Sequence, residues 1–289
     1  MLDYKPLKKG DKVAFVSVSN GRSDHQNIEL TAQIVRETGL EPVLSPYIYR
    51  TKDRLYSAPA PVRAENLMQY YKDPSIKAIF DVGGGDLANQ ILEFLDFGVI
   101  GSSGKEFWGF SDLSTMVNAI YAKTGRPSWL YQARKLINRD MIPYFEKIAF
   151  GKEEYCCGLP REAVRFVRGT SMSGTVLGGN IRCFMKLNGT PYFPDLTGKI
   201  LVLESLEGTE GLITSFLWQY RQMGVFRKLG GLIIGSYTDL DKEQGPDFIM
   251  KLVMEAVDNP KLPIAKTDRI GHNMDTYALH IGDRIELKD

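Results

Sequence analysis

The chain has 289 residues, with 36 basic and 35 acidic side chains and a formal net charge of +1. This length is enough for two domains that each bury a core of their own. Because the charges balance and no long run of one sign occurs, the sequence argues against binding to nucleic acid or to an anionic membrane, and we expect a small ligand.

Segments that would direct the chain to a membrane or bind a metal are missing from the sequence. Apolar stretches stay below the roughly 18 residues of a membrane-spanning helix, and no small-residue cleavage site follows the first apolar run, so we expect a cytoplasmic protein. The three cysteines, Cys156, Cys157 and Cys183, are a poor disulfide framework. With only three histidines, we expect neither a metal site nor a cofactor.

The first 125 residues alternate short apolar runs with helical patterns. Strands separated by helices of this length predict parallel βαβ units in a doubly wound α/β sheet, whose ligands lie at the carboxyl ends of the strands. The strand patterns occupy 12–19, 41–49, 76–85 and 106–110, and the helical patterns occupy 27–39, 61–73, 87–97 and the residues after Ser111.

The alternation weakens after Gly125, where 126–172 carries prolines and glycines typical of a connecting segment. A second set of elements follows, with extended runs at 199–205, 230–237, 263–272 and 283–289 and helical patterns at 211–224 and 246–258. We place a first domain at 1–150, a linker at 151–172 and a second domain at 173–289.

Ser111 lies where the run "EFWGF" meets the helix that begins "SDLSTM". A serine at such a strand-to-helix turn exposes its Oγ at the sheet edge, beside the N–H groups of a helix. The same position suits an N-cap bonded to the amide of Ser114. GxS also lacks the second glycine of a nucleophile elbow, so the local pattern leaves both interpretations open.

A nucleophilic serine needs a base and a carboxylate that orients the base. His25 precedes a polar helix start, His280 lies in an ordinary extended run, and His272 follows a glycine at the end of such a run. Composition alone does not settle which of the three is the base. Glu204 ends the apolar strand "KILVLES", where functional groups of this fold class lie. Glu207 and Glu210 follow in the turn, where solvated roles are more usual.

The run "DVGGGD" places three glycines after a predicted strand. Neither GxGxxG nor GxxxxGK[ST] is present, so a phosphate loop is disfavoured. A glycine turn also lets backbone N–H groups approach a ligand closely, as an oxyanion hole requires.

Several blocks together resemble the LD-carboxypeptidases, a serine peptidase family that includes muramoyl-tetrapeptide carboxypeptidase and the microcin C immunity peptidases. "GFSDLSTM" is similar to the family's serine motif, and "VLGGNIRCFMKLNGTPYFPDLTGKILVLES" is similar to the block that ends in its catalytic glutamate. "IGH" and "IGDRIEL" continue in the family's order. The resemblance covers most of the chain.

This resemblance implies a Rossmann-like N-terminal domain with a parallel sheet, a smaller β-rich α/β C-terminal domain, and a homodimer. It makes Ser111 the nucleophile, Glu204 the orienting carboxylate and His272 the base. The implied reaction is hydrolysis of an amide through an acyl-enzyme, on a murein tetrapeptide or on a microcin C-like peptidyl or aminoacyl nucleotide. The oxyanion hole would use the amides of Gly84, Gly85 and Asp112.

The chain departs from the family pattern where "SWLYQARKL" replaces a region that often holds a "GP" dipeptide. A carboxypeptidase of this type needs a cation for the terminal carboxylate of its substrate, and Arg134 and Arg182 are the candidates. Two other functions stay open: a non-catalytic small-molecule binding module on the same fold, in which Ser111 only caps its helix, and a nucleotide-binding enzyme that uses the glycine turn.

Overall fold

A computed structural model describes residues 6–151 and 158–289 of the chain. Cys156, Cys157 and part of the linker proposed at 151–172 lie outside the described residues. The strands are β1 (Lys12–Val16), β2 (Glu41–Leu44), β3 (Ile76–Asp81), β4 (Glu106–Gly109), β5 (Ser128–Leu130), β6 (Arg165–Arg168), β7 (Ser171–Asn180), β8 (Ile200–Ser205), β9 (Gly231–Tyr237), β10 (Ile264–Lys266), β11 (Leu279–Ile281) and β12 (Arg284–Lys288).

The helices flank and connect these strands. They are α1 (His25–Glu37), α2 (Ala60–Lys72), α3 (Phe97–Ser102), α4 (Ser114–Thr124), α5 (Ile142–Ala149), α6 (Ile181–Met185), α7 (Glu210–Gln222), α8 (Val225–Lys228), α9 (Thr238–Gln244) and α10 (Phe248–Ala256). Short 3₁₀ helices occupy Ala88–Phe94, Ser111–Leu113, Ala133–Ile137, Arg139–Met141 and Arg161–Ala163. Within the described residues, no helix is long and apolar enough to cross a membrane.

Two six-stranded sheets form the fold, in the orders β11-β5-β4-β3-β1-β2 and β12-β7-β8-β9-β10-β6. In the first sheet β1 to β5 run parallel, and only the edge strand β11 is antiparallel. In the second sheet β7 to β10 run parallel between antiparallel edges. The predicted α/β class, with a parallel N-terminal sheet and a second α/β unit, is confirmed.

Two local expectations need correction, and one strand pairing was not predicted. The segment 126–172 is more than a connector, because β5 extends the first sheet and α5 packs Phe145 into that sheet's core. The helix expected at 87–97 is instead a 3₁₀ helix followed by α3. The strand β11 comes from the end of the chain and yet pairs with β5 in the first sheet.

Helix α4 joins the two sheets directly behind Ser111. The Asn118 side chain donates to the carbonyl of Gly178 at 2.7 Å and accepts from its amide at 2.9 Å. Ser114 Oγ accepts the amide of Asn180 at 2.9 Å. An added Cβ at Gly179 would lie 2.4 Å from Ser114 Oγ, so glycine is needed for this close approach. The turn at Ser111 is thereby held against the second sheet.

Candidate active site

Ser111 lies in a strained turn between β4 and α4. Its φ is +60°, and it is the one described residue other than glycine with positive φ. Such a conformation costs a residue with a Cβ about 1–3 kcal/mol and is typical of functional sites. Gly109 allows the sharp turn, since a Cβ there would lie 2.7 Å from Leu113.

The Ser111 side chain does not cap the helix that follows. Neither the 3₁₀ helix beginning at Ser111 nor α4 has a side-chain hydrogen bond at its N-cap. The amide of Ser114 donates to the backbone carbonyls of Ser111 and Asp112, so the interpretation in which the Ser111 side chain accepts this amide, one of the two left open by the sequence, is not realised. The Ser111 hydroxyl lies instead at the wall of a cavity of about 610 Å³ at the carboxyl edge of the first sheet, a size typical of ligand sites.

Glu204 and His272 form a hydrogen-bonded pair beside the same cavity. Glu204 is the penultimate residue of β8 and is fully buried, and its Oε2 lies 2.8 Å from Nδ1 of His272, which lines the cavity. Because a carboxylate only accepts, Nδ1 carries a proton, and Nε2 is the nitrogen that can serve as the base. That Nε2 is buried and has no hydrogen-bond partner among the described residues, so the bond to Ser111 is not formed in this structure.

The glycine turn is the part of the cavity wall that follows β3. Asp81, fully buried, accepts the amide of Gly83 at 2.7 Å and the amide of Val18 at 2.8 Å. Burial raises the pKa of Asp81 to about 7, although the hydrogen bonds from these two amides lower it. Gly84 and Gly85 have φ of +144° and +124° and both line the cavity. Glycine is required at position 85, where a Cβ would lie 2.2 Å from Asn20.

Asp112 holds the serine turn through its side chain. The buried carboxylate accepts hydrogen bonds from Ser19 Oγ at 2.6 Å, from the amide of Ala88 at 2.8 Å and from Lys186 Nζ at 2.5 Å. Lys186 follows α6 of the second unit, so one carboxylate links the serine turn to both sheets. The family resemblance implied a role only for the backbone amide of Asp112, and this role of the side chain was not predicted.

The two candidate arginines lie in different places. Arg134 lines the cavity, its Nε is buried without a partner among the described residues, and its Nη2 lies 3.5 Å from the carbonyl of Gly83. Burial lowers the pKa of Arg134 to about 10, and the charge of Arg22 acts in the same direction. Arg182 is not part of the cavity wall and forms an ion pair with Asp86, with 41% of its side chain exposed.

Lys135 is a functional candidate that sequence reasoning missed. Its buried Nζ donates to the carbonyl of Gly271 at 2.7 Å and to the hydroxyl of Thr276, and it lies 4.5 Å from the ring centre of Phe110. Burial lowers the pKa of Lys135 to about 7. The lysine therefore ties the loop that carries His272 to the strand end before Ser111. Had residues 128–130 been predicted as a strand, Lys135, which follows that strand, would have been expected at the carboxyl edge of the sheet.

The other titratable residues weighed from the sequence lie outside the cavity. His25 begins α1 and stacks on Tyr49, and His280 in β11 bonds Glu106 and Asp283. Glu207 and Glu210 are exposed. Among the residues that the structure describes, no group of His, Cys, Asp and Glu could hold a metal ion, and Cys183 is buried.

Comparison with known proteins matches both halves of the chain to one family. The profile of the LD-carboxypeptidase N-terminal domain matches residues 13–131, and that of the C-terminal domain matches residues 173–287. The murein tetrapeptide carboxypeptidase of Pseudomonas aeruginosa is 25% identical over 78% of this chain and 77% of its own length. The microcin C7 self-immunity protein MccF of Escherichia coli is 23% identical over 98% and 92%.

Solved structures show the same fold. MccF in complex with glutamyl sulfamoyl guanosine superposes with a TM-score of 0.87, covering 98% of this chain and 94% of that one at 20% identity. Muramoyltetrapeptide carboxypeptidase from Oxalobacter formigenes gives a TM-score of 0.80 with coverage of 96% and 95%. Two matching domain profiles that span most of the sequence show that this chain belongs to the LD-carboxypeptidase family of serine peptidases.

Proposed function

We propose that this protein is a serine carboxypeptidase in which Ser111 is the nucleophile, His272 the general base and Glu204 the residue that orients the histidine. The observation that carries the proposal is one cavity wall with a strained serine and a histidine whose Nδ1 is bonded to a buried carboxylate. In the part of the chain that the structure describes, Nε2 of the histidine has no hydrogen-bond partner, which leaves it available to take the serine proton when substrate binds.

The proposed reaction is acyl transfer in two halves. Ser111 Oγ attacks the amide carbonyl while its proton moves to Nε2 of His272, and Glu204 stabilises the imidazolium. The amides of Gly84, Gly85 and Asp112 would bind the oxyanion, and the strong positive φ of both glycines turns this backbone along the cavity wall. The proton on His272 then passes to the leaving nitrogen, and water releases the acyl-enzyme by the reverse sequence.

The substrate class follows from the cationic cavity and from the family. Arg134 and Arg22 both line the cavity, and a guanidinium binds a carboxylate well. Arg134 is therefore the residue we assign to the terminal carboxylate, whereas the pairing of Arg182 with Asp86 away from the cavity argues against that role. The names of the relatives support two substrates, a murein tetrapeptide and an aminoacyl nucleotide of the kind bound by MccF.

Active-site labelling tests this proposal most directly. A serine-directed phosphonate should modify the wild-type protein at Ser111 and leave Ser111→Ala unmodified. Incubation with a murein tetrapeptide and with an aminoacyl sulfamoyl nucleotide, followed by mass spectrometry, then identifies the amide that is cut. A folded wild-type protein that is neither labelled nor active on either compound would refute the hydrolase and favour a binding module.

A homodimer and a cytoplasmic location also belong to this proposal. The family resemblance supports the dimer. Sedimentation equilibrium should give twice the chain mass of 32.5 kDa, and fractionation of cells that express the full-length protein should recover it with the cytoplasm.

A further inference from the structure

Gln132 is a buried polar residue of the cavity wall that the reaction, as proposed, does not use. It is 5% exposed and lies in the segment after β5, next to Ala133 and Arg134. Its Nε2 donates to the carbonyl of Gly83 at 2.8 Å, so the side chain is anchored on the glycine turn. The segment "SWLYQARKL" that contains it is where the chain departs from the family's sequence pattern.

The hydrogen bond to Gly83 fixes which end of the amide is free. A backbone carbonyl only accepts, so the atom facing Gly83 must be the NH₂ group and the other atom must be the carbonyl oxygen. That oxygen, Oε1, is buried and has no hydrogen-bond partner among the described residues. A buried acceptor without a donor costs about 1–3 kcal/mol, so the site is built for a ligand or a water that donates.

Arg134, two residues later, has a buried donor that complements the unpaired acceptor of Gln132. Its Nε is buried and unbonded within the described part of the chain, and both residues contact the carbonyl of Gly83. One wall thus combines an acceptor with a cationic donor. The C-terminal residue of a peptide presents the matching pair, an amide N–H and a carboxylate on the same carbon atom.

We infer that Gln132 is a specificity-determining residue whose Oε1 accepts the N–H of the amino acid that the reaction removes, while Arg134 binds the carboxylate of that residue. The inference rests on the proposed function and narrows it to peptides with a free C-terminal amino acid. An aminoacyl sulfamoyl nucleotide has no carboxylate on the carbon next to its leaving nitrogen, so it would not present this pair and would leave Arg134 without the carboxylate.

The test compares two substrates that differ only in the last bond. One is a tetrapeptide that ends in D-alanine, and the other ends in D-lactate, so that an ester oxygen, which cannot donate, replaces the amide N–H. The ratio of kcat/KM for amide over ester is measured in the wild type and in Gln132→Met. Differences in intrinsic reactivity cancel between the two proteins. We expect the ratio to fall about tenfold in Gln132→Met. Without the acceptor, the amide substrate loses the one hydrogen bond that favours it over the ester, and one hydrogen bond corresponds to about a factor of ten.

Two controls separate the possible outcomes. Met274→Leu changes an apolar side chain of the same cavity wall and should leave the ratio unchanged. If Gln132→Met does not fold, calorimetric binding to Ser111→Ala decides instead: the amide should bind about tenfold more tightly than the ester. Equal binding, or a ratio that does not change in a folded Gln132→Met, overturns the inference.

Failure of the proposed function gives a different result. If wild-type protein hydrolyses the D-alanine peptide and is labelled at Ser111 but the ratio is insensitive to Gln132, only the assignment of Gln132 is wrong. If wild-type protein is neither labelled nor active, the proposed function fails, and the role of Gln132 fails with it.

Discussion

Nδ1 of His272 lies 2.8 Å from Oε2 of Glu204, whose side chain is fully buried. If this carboxylate orients the base, Glu204→Gln should keep the cavity and remove the charge that stabilises the imidazolium. We expect kcat to fall about 10²–10⁴-fold with KM changed little. Steady-state kinetics on the active substrate measures both constants.

Glu207→Gln is the matched control, because Glu207 is an exposed carboxylate three residues further on. It should retain wild-type kinetics. A Glu204→Gln protein that keeps more than a tenth of the wild-type kcat would contradict the assignment.

Because Ser111 has a φ of +60°, we expect substitutions there to change the stability of the protein independently of their effect on catalysis. Ser111→Ala and Ser111→Gly should both be inactive, since each removes the hydroxyl. Only glycine relieves the left-handed strain, so Ser111→Gly should be about 1 kcal/mol more stable to urea than Ser111→Ala. Equal stability of the two variants, or a less stable glycine variant, would show that the turn is not strained.

Much of this site could be predicted because parallel sheets concentrate functional groups at strand ends. Glu204 lies next to the end of a strand that shows as an apolar run, and Ser111 follows another such strand, so the sequence pattern placed both at carboxyl edges. His272 could not be chosen over the other histidines by local pattern. The family resemblance singled it out, and the structure places it against Glu204.

The parts that were missed depend on contacts between distant segments. Lys135 and Gln132 follow β5, a strand of three residues that is too short to show a period. The pairing of β11 with β5 joins segments about 150 residues apart, and nothing in either three-residue run specifies the partner. The positive φ at Ser111 is rare for a residue other than glycine, so residue propensities do not predict it.

Asp112 and Lys186 form a partly buried ion pair that links the serine turn to the second unit. The Nζ–Oδ1 distance is 2.5 Å, and the exposed fractions of the side chains are 19% for the lysine and 0% for the aspartate. Removing one partner of such a pair leaves a buried charge or unpaired donors. Asp112→Asn should therefore lower the free energy of unfolding by about 3 kcal/mol and reduce kcat, because Ser111 is the adjacent residue.

Arg182→Met is the matched control for the variants of the Asp112–Lys186 ion pair. Its ion pair with Asp86 is exposed, and exposed pairs contribute at most about 1 kcal/mol. Urea unfolding of Asp112→Asn, Lys186→Met and the double variant should give a coupling energy well above zero. A loss for Asp112→Asn no greater than that for Arg182→Met would show that the carboxylate does not hold the turn.

The environment of His280 predicts how the free energy of unfolding changes at alkaline pH. It is buried in β11, with Nε2 2.9 Å from Glu106 and Nδ1 2.9 Å from Asp283. Burial alone would lower the pKa of His280, but the hydrogen bonds to Asp283 and Glu106 outweigh it and raise the pKa to about 9. The folded protein thus binds this proton more tightly than the unfolded chain, whose histidine titrates near its ordinary value of 6.5.

The stabilisation from His280 is accordingly complete below about pH 6.5 and is lost as the pH rises to 9. Lys135 acts in the opposite sense, since its pKa is lowered to about 7 and the fold gains stability as that lysine loses its proton. The measurement therefore compares wild type with His280→Gln by urea unfolding at both ends of this range. The advantage of wild type should shrink by on the order of 3 kcal/mol from the acid to the alkaline end. If that advantage stays constant or grows, His280 does not join β11 to the first sheet as an ion pair.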